Sequence, residues 1–453
     1  MAKISDLIST VLKELIRLQT APWPYCDEND PFPFPRMIGV GDGRSIVVSQ
    51  EIDDAIQRVA DQLIAQDPSL TSKYMLAEWR KMVRASFGPA LAMIDLDDPI
   101  DQNAKQVLEN VRSSVTKHIG QSGTRENAFG CTLFGNSTVK PFAIGPVRFE
   151  PRAGWLERKC SEGAVSKTTQ RRIEQSWSGK KLQKRKASTD SIIEKDIIDV
   201  VGTCPFVCSV VTVGLAPDAA RERALTTARL ALAAIALLWT TPSRALEGMN
   251  LLYDRRLHRQ RALTFVPGKT VLPKSSRSHM PHGPWLKDGE WEALLSQNSS
   301  FFGGVAEVLD YVIDPARGQS RRDMLNTLAQ ALLWFHEGCR ESVTLMGIVK
   351  FTATLDALAC GGKSAGIKRL ITARLGLQEM SPIRPDGPTL KSAVDEIYSE
   401  GRSRTIHGTN TKLGHDWSGT KSLSEQFARL CLLACIDWAA AKPTSNDPKQ
   451  LST

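Results

Sequence analysis

This sequence of 453 residues has few of the features that mark an extracellular or membrane protein. Its nine cysteines are an odd number without the spacing of a disulfide framework, which predicts free thiols in a reducing cytosol. The most apolar run, residues 230–239, has about half the length of a membrane span and predicts a buried helix. Residues 1–19 carry charges between their apolar positions, which predicts an amphipathic helix rather than a signal peptide. We therefore expect a cytoplasmic protein without a membrane segment.

Metal-binding and nucleotide-binding patterns are also missing. The chain has three close pairs of cysteine or histidine, and none has a second pair at the spacing of a zinc site. These pairs are Cys204 with Cys208, Cys431 with Cys435, and His279 with His282. The sequence GGKS at 361–364 ends like a phosphate-binding loop, but Ala357 stands where that loop needs an earlier glycine. The sequence thus predicts no metal site and no cofactor.

Acidic residues are the minority among the charged ones, with 49 Asp and Glu against 58 Lys and Arg. The net charge of +9 favours polyanionic partners, nucleic acid first. The excess is greatest in a predicted basic loop at residues 166–187, where eight basic residues accompany a single acid, Glu174. This loop is either a mobile solvated segment or a surface for an RNA backbone, with Trp177 available to stack on a base. The candidate RNA contacts are Lys180, Lys181, Lys184, Arg185 and Lys186.

Apolar spacing predicts an α+β fold in which helices predominate. Helical patterns cover residues 50–66, 72–86 and 101–119, and alternating patterns predict a small β-element at 128–150 and strands at 205–214 and 261–267. From residue 316 onward, five segments show the three- and four-residue spacing of helices and none shows a strand pattern. We therefore predict four parts: a mostly helical N-terminal region at 1–200, a strand–helix linker at 201–315, an all-helical bundle at 316–441 and a flexible tail at 442–453.

The sequence YSEGRSRTIHG, residues 398–408, places two arginines and a histidine at the predicted end of a helix. Cations suit the negative end of a helix dipole, so a solvated helix terminus is one interpretation. The other is a site that cuts RNA without metal. Histidine can take or give a proton near neutral pH, and the donors of arginine fit the charge that develops on a reacting phosphate. Arg402 and His407 supply one of each.

The spacing of this pair places a condition on the helix. Five residues turn an ideal α-helix by about 140° beyond a full turn, so Arg402 and His407 would not share a face of a regular helix. The pair therefore requires that the helix ends or bends here. Gly408, directly after His407, is the residue type that most often ends a helix.

With this spacing the segment resembles the R-x4-6-H motif of HEPN domains, specifically of the Apea-like HEPN branch. The resemblance covers roughly residues 320–441 and includes the sequences ALLWFHEGCRES and IVKFTATLDALACGG. It implies an all-α helical domain in which Arg402 and His407 are the catalytic residues.

Four other residues acquire roles through the same resemblance. Ser403 takes the place of the polar residue that often follows the motif arginine. Arg404 occupies no motif position and is an auxiliary phosphate contact. Glu341 and Asp356 are alternative candidates for an acid on a preceding helix.

The resemblance also implies a biological setting. Such HEPN proteins are commonly metal-independent endoribonucleases of anti-phage defence or toxin systems, and they dimerise so that two motifs face one RNA-binding cleft. For this chain that implies RNA as the substrate, a homodimer formed through residues 316–441, and an N-terminal region that senses a phage-derived or other trigger. Two alternatives stay open: a non-catalytic HEPN module that binds RNA, nucleotide or a protein partner, and a structural protein or unrelated enzyme.

Overall fold

The computed structural model describes residues 3–19, 36–136, 138–254, 264–271, 282–316 and 319–453. The fold is α+β and mostly helical with small antiparallel sheet elements, as predicted. The chain forms two compact units: a first unit of residues 1–125 and 212–222, and a second unit of residues 126–211 and 223–453. His279 and the start of the strand predicted at 261–267 lie outside the described residues.

The first unit is a cluster of helices with one short antiparallel hairpin. Its elements are α1 (Ile4–Gln19), β1 (Arg36–Gly39), β2 (Ser45–Val48), α2 (Gln50–Gln66), α3 (Pro68–Thr71), α4 (Leu76–Ala92) and α5 (Ile100–Gly120). The longer helices bury apolar residues at three- and four-residue spacing, as Ile52, Ile56 and Val59 do on α2. Ser49 caps α2 by accepting a hydrogen bond from Ile52 N. The four helices predicted for this part of the chain are confirmed.

A four-stranded sheet follows in the chain. It consists of β3 (Thr124–Cys131), β4 (Phe142–Ile144), β5 (Val147–Pro151) and β6 (Phe206–Val213), in the spatial order β3-β6-β5-β4. β5 pairs antiparallel with both β4 and β6, so that Phe149 lies opposite Phe142 on one side and Cys208 on the other. Three helices, α6 (Arg152–Ser161), α7 (Lys167–Trp177) and α8 (Thr189–Val201), connect β5 to β6. The predicted β-element and the strand predicted at 205–214 are confirmed.

A network of ion pairs attaches α6 to this sheet. Arg158 contacts the carboxylates of Glu126, Glu150 and Glu162, and Lys159 contacts Glu126, with N–O distances of 2.5–2.9 Å. Burial raises the pKa of Glu126, but the hydrogen bonds from Arg158 and Lys159 outweigh burial and lower the pKa to about 2. The folded protein therefore holds this carboxyl group in its charged form.

We expect this network to weaken in acid. Because the pKa of Glu126 in the folded protein lies below its ordinary value of 4.5, the contribution to stability is complete above that pH and is lost as the pH falls towards 2. Glu126→Gln should lower the free energy of unfolding by about 1–3 kcal/mol near neutral pH. Urea unfolding at a series of pH values measures the difference from the wild type, which should shrink below about pH 4.5. A difference that stays constant down to about pH 3 would contradict the assignment.

The rest of the second unit is a helical assembly, and its first helix begins with residues 217–222 of the first unit. Its elements are α9 (Pro217–Ala236), α10 (Pro242–Gly248), β7 (Thr264–Val266), β8 (Lys269–Val271), α11 (Glu290–Gln297), α12 (Ser299–Ile313), α13 (Arg322–Cys339), α14 (Thr344–Leu358), α15 (Lys363–Leu375), α16 (Leu390–Asp395), a π-helical segment (Glu396–Ser403), α17 (Arg404–Ile406) and α18 (Ser418–Ala441). The helical segments predicted after residue 316 are confirmed. Among the described residues, no single helix is both long and apolar enough to cross a membrane. The helices α14 and α15 reach that length and composition only as a pair, and they are bent by 69° relative to each other.

The compact units do not follow the division predicted at residues 200 and 315. One apolar core runs from Phe129 on β3 to Leu451 near the end of the chain. The predicted linker at 201–315 contributes β6 and α12 to this core, because both are too apolar to lie exposed in water. The described residues between 201 and 315 are therefore structural parts of the two units rather than a linker.

The C-terminal residues are packed and ordered, which corrects the predicted flexible tail at 442–453. Leu451 is fully buried in the apolar core. Arg374 of α15 donates a hydrogen bond from Nε to Leu451 O at 2.8 Å, and Arg321 donates from Nε to Ser445 O at 3.2 Å. Burial of the leucine and satisfaction of these carbonyl groups hold the segment against the helices.

Candidate functional site

The helix that leads into Arg402 changes its winding. Residues Glu396–Ser403 are π-helical, whereas α16 before them and α17 after them are α-helical. Short π-helical segments inside α-helices occur frequently at functional sites. Gly401, within this segment, lies so close to α14 that a Cβ atom on it would be 2.7 Å from Ile348 Cγ2. The absence of a side chain at residue 401 therefore permits the approach of Arg402 to α14.

Two partners hold the side chain of Arg402. Its Nη1 donates a hydrogen bond to Tyr398 Oη at 3.1 Å, and its Nη2 lies 3.4 Å from Asp356 Oδ2 on α14. The guanidinium carbon is 5.1 Å from the centre of the Tyr398 ring, within the range of a cation–π contact. The Arg402 side chain is 25% exposed, so it is oriented by the protein and still accessible to solvent. Arg402 Nε and Asp356 Oδ1 are buried and have no hydrogen-bond partner among the described residues.

His407 stands at the C-terminal end of the same helical segment. Gly408 adopts a φ of +68°, Gly408 N bonds to Thr405 O, and Thr409 N bonds to Arg404 O. This pair of hydrogen bonds is the Schellman motif, in which a glycine in the left-handed region ends a helix. The helix thus ends just before Gly408, as the sequence predicted. The side chain of His407 is exposed to solvent at this end.

The structure distinguishes between the two candidate acids. Glu341 accepts a hydrogen bond from Lys350 Nζ at 2.8 Å, which lowers the pKa of its carboxyl group. Asp356 is the acid that contacts Arg402. Within the described chain, no hydrogen bond or ion pair joins the side chains of Arg402 and His407.

Arg404 and Ser403 have different surroundings from Arg402. Arg404 Nη1 lies 3.0 Å from Glu400 Oε2, and Lys412 Nζ lies 3.3 Å from the same oxygen. Ser403 contributes its backbone carbonyl, which accepts a hydrogen bond from His407 N at 3.0 Å. Arg402 and Arg404 therefore bind different carboxylates.

Sequence reasoning did not find Tyr398, Gly401, Glu400 or Lys412. A signal for two of them exists, because Tyr398 and Glu400 each lie four residues before an arginine, the spacing of neighbouring side chains on a helix. The tight contact of Gly401 and the position of Lys412 depend on tertiary packing and have no such local signal.

We expect Gly401→Ala to destabilise the second unit by about 1–3 kcal/mol, since the added methyl group would overlap with the stiff, β-branched Ile348. Urea unfolding measures the change. Gly419→Ala is the matched control, because this glycine also lies in a helix and an added methyl carbon there would have no atom within 4 Å. The control should be neutral or slightly stabilising. Equal stability of the two variants would show that Gly401 is not tightly packed.

The predicted basic loop at 166–187 is partly helical, because Ser166 caps α7 and Ile173 is buried beneath it. The remainder, here called the lysine loop, comprises residues 178–188. Arg172 and Arg185 both bind the Glu194 carboxylate, at 2.7 and 3.2 Å, and Arg172 also donates to Gln183 O at 2.9 Å. Arg185 therefore anchors the lysine loop to α8. The exposed basic residues of the loop are Lys180, Lys181, Lys184 and Lys186.

Trp177 is less available for stacking on a base than the sequence predicted. Its ring is half-buried against the apolar residues of α6 and α8. The guanidinium of Arg152 lies 4.9 Å from the centre of the ring. One face of the indole is thus already covered by a cation, and Trp177 serves the packing of these helices.

Among the described residues, no group of three or more His, Cys, Asp or Glu side chains is arranged to hold a metal ion. The two cysteine pairs noted in the sequence, at 204 and 208 and at 431 and 435, are buried. Burial raises the pKa of Cys435 to about 12. These thiols therefore behave as small apolar side chains of the core.

Comparison with models of protein families, with curated proteins and with solved structures finds no match to this chain. The HEPN resemblance consequently rests on the motif and on the helical region around it. The contacts of Arg402 and the helix end at His407 are independent observations that bear on the same residues.

Proposed function

We propose that this protein is a metal-independent endoribonuclease of HEPN type. The observation that carries the proposal is the combination of an oriented arginine with an exposed histidine on one helical segment. Arg402 is held by Tyr398 and Asp356, and His407 lies at the helix end five residues later. A solvated helix terminus would not require that one of its cations be held by a tyrosine and a carboxylate of another helix.

The chemistry assigned to these residues is transfer of a phosphodiester to the neighbouring ribose oxygen. The 2′-oxygen attacks phosphorus, the bond from phosphorus to the 5′-oxygen breaks, and the products carry a 2′,3′-cyclic phosphate and a 5′-hydroxyl. His407 moves a proton at one of these two oxygens. Arg402 stabilises the negative charge that grows on the non-bridging oxygens. Asp356 acts as a positioning residue through its contact with Arg402.

We assign the binding of the approaching RNA to the lysine loop. Its four exposed lysines form a basic surface on a loop that Arg172 and Arg185 hold in place. Contacts to phosphates of this kind position RNA without reading its sequence. In this proposal Arg185 contributes to the shape of the loop, and the lysines contribute the affinity.

The setting proposed for this activity is anti-phage defence or a toxin system in the cytoplasm, with a trigger sensed by the N-terminal region. A single chain offers one His407. The attacking 2′-oxygen benefits from a base, and the departing 5′-oxygen benefits from an acid. A homodimer through residues 316–441 would bring a second His407 and Arg402 to the same cleft by twofold symmetry.

Cleavage of total RNA in excess EDTA tests the proposal. We expect fragments with 2′,3′-cyclic phosphate and 5′-hydroxyl ends and no cleavage of DNA of the same sequence, because DNA lacks the attacking 2′-oxygen. Mapping of the fragment ends and their response to polynucleotide kinase identify the chemical groups at those ends. Products with 5′-phosphates, or cleavage that requires a divalent cation, would reject the proposed chemistry.

A second candidate function is binding of RNA without cleavage. The contact between Arg402 and Asp356 favours it, because an arginine that is already paired can serve as a fixed binding element. The same experiment separates the two functions: a non-catalytic module would shift RNA in a binding assay and leave its length unchanged.

A further inference from the structure

A single carboxylate oxygen next to the motif holds two cations. Glu400 Oε2 lies 3.0 Å from Arg404 Nη1 and 3.3 Å from Lys412 Nζ. Both cationic side chains are about half exposed, at 48% and 55%, whereas the Glu400 side chain is 27% exposed. Two accessible donors therefore converge on one anionic oxygen at the surface.

The position of Lys412 is built into the fold. The loop after His407 returns towards the helix, where Asn410 Nδ2 donates to Thr405 Oγ1 at 3.0 Å. Asn410 Oδ1 accepts a hydrogen bond from Lys412 N at 2.8 Å, and the buried Trp417 donates from Nε1 to Lys412 O at 2.9 Å. Both backbone groups of Lys412 are thus fixed, and its ammonium group is held near Arg404 by more than the ion pair alone.

Different carboxylates hold this pair of cations and Arg402. Arg402 contacts Asp356 on α14, whereas Arg404 and Lys412 share Glu400 at the surface. Arg404 and His407 are three residues apart, the spacing of neighbouring side chains on a helix. The cations around Glu400 therefore lie near the motif without sharing the contact of Arg402, and they can meet a phosphate other than the one that Arg402 contacts.

We propose that Arg404 and Lys412 form a second phosphate-binding subsite, for a phosphodiester of the RNA strand next to the bond that is cut. Glu400 occupies this subsite in the free protein, and the RNA phosphate displaces its carboxylate. Both anions carry a single charge and accept hydrogen bonds from the same two donors. Exchange is favourable because ion pairs at the surface stabilise a protein little and are easily replaced. This inference rests on the proposed function for the identity of the ligand.

The test uses the full-length protein and an RNA oligonucleotide with 2′-O-methyl groups on every ribose, which cannot undergo 2′-attack. Fluorescence anisotropy measures its affinity for wild type, Lys412→Ala and Glu400→Gln at several salt concentrations. Lys412→Ala should weaken binding by about three- to tenfold at low salt and lower the slope of log K against log salt by about 0.7. Glu400→Gln should strengthen binding by a similar factor, since it removes the competing anion and preserves the shape of the side chain.

Lys117→Ala is the control, because it removes one exposed lysine from the first unit and should leave the affinity unchanged. Unchanged affinity in both test variants, or an equal loss in the control, overturns the subsite. Cleavage measured separately distinguishes this failure from that of the proposed function. If His407→Ala abolishes cleavage but neither Lys412→Ala nor Glu400→Gln alters binding, only the subsite is rejected. Cleavage that survives in His407→Ala rejects the proposed function without affecting the binding result.

Discussion

Substitution of His407 by alanine should reduce RNA cleavage by about 10²–10⁴-fold, the range expected for loss of a general acid or base. Histidine is the side chain that most often serves as a general acid or base. Its side chain is exposed at the end of a helix, so its removal leaves the apolar core intact. The initial rate of cleavage of a defined RNA measures the effect, and a thermal melt should superimpose on that of the wild type.

His415→Ala is the matched control for this experiment. His415 is also exposed and lies in the loop that follows the motif, with its ring 5.1 Å from that of Trp417. Its replacement should leave cleavage within a few-fold of the wild-type rate, because a surface histidine outside the site does not reach the reacting oxygens. Full activity in a folded His407→Ala variant, or an equal loss in both variants, would show that His407 is not catalytic.

Arg402→Lys should lower cleavage by about 10²–10³-fold although it keeps the positive charge. The guanidinium uses separate nitrogens for Tyr398 and Asp356 and has further donors for a phosphate. A lysine ammonium is a single point of charge that cannot be oriented by two partners while it also faces a substrate. The rate constant for cleavage at saturating RNA reports the loss, and RNA affinity should change much less.

Arg404→Ala serves as the comparison for Arg402. It removes an arginine two residues away that pairs with Glu400 at the surface. Its effect should be milder and should fall mainly on RNA affinity and the salt dependence of binding. If Arg404 proved essential and Arg402 dispensable, the motif would have been assigned to the wrong arginine.

Most of the secondary structure could be predicted from the spacing of apolar residues, as for α2, α14 and α18. Each of these helices buries one continuous apolar face or is buried on most sides. The π-helical segment did not follow, since its residues have the same spacing as those of an ordinary helix. The ordered C-terminal residues were also missed. Their polar composition is typical of a mobile tail, and only Leu451 reveals that they pack.

The candidate site also combines features that the sequence predicted with features that it did not. The helix end just before Gly408 is a local property that was predicted from consecutive residues, whereas the catalytic roles of Arg402 and His407 stay predictions. Residues 166–187 were predicted as a basic loop, either solvated or a surface for RNA. The structure assigns Arg185 to an ion pair with Glu194 and leaves the lysines of the lysine loop exposed. Composition counts charges, and it does not reveal which of them a neighbouring carboxylate neutralises.

The sequence by itself determined the helices after residue 316 and the place where the helix before Gly408 ends. Tertiary structure alone decided that Asp356, 46 positions away, contacts Arg402 and that Lys412 returns to share Glu400 with Arg404. The physical reason is the range of the interactions. Hydrogen bonds within a helix and side-chain neighbours three or four residues apart follow from the order of residues, whereas contacts between helices depend on packing, here on a glycine at position 401 that lets two helices approach.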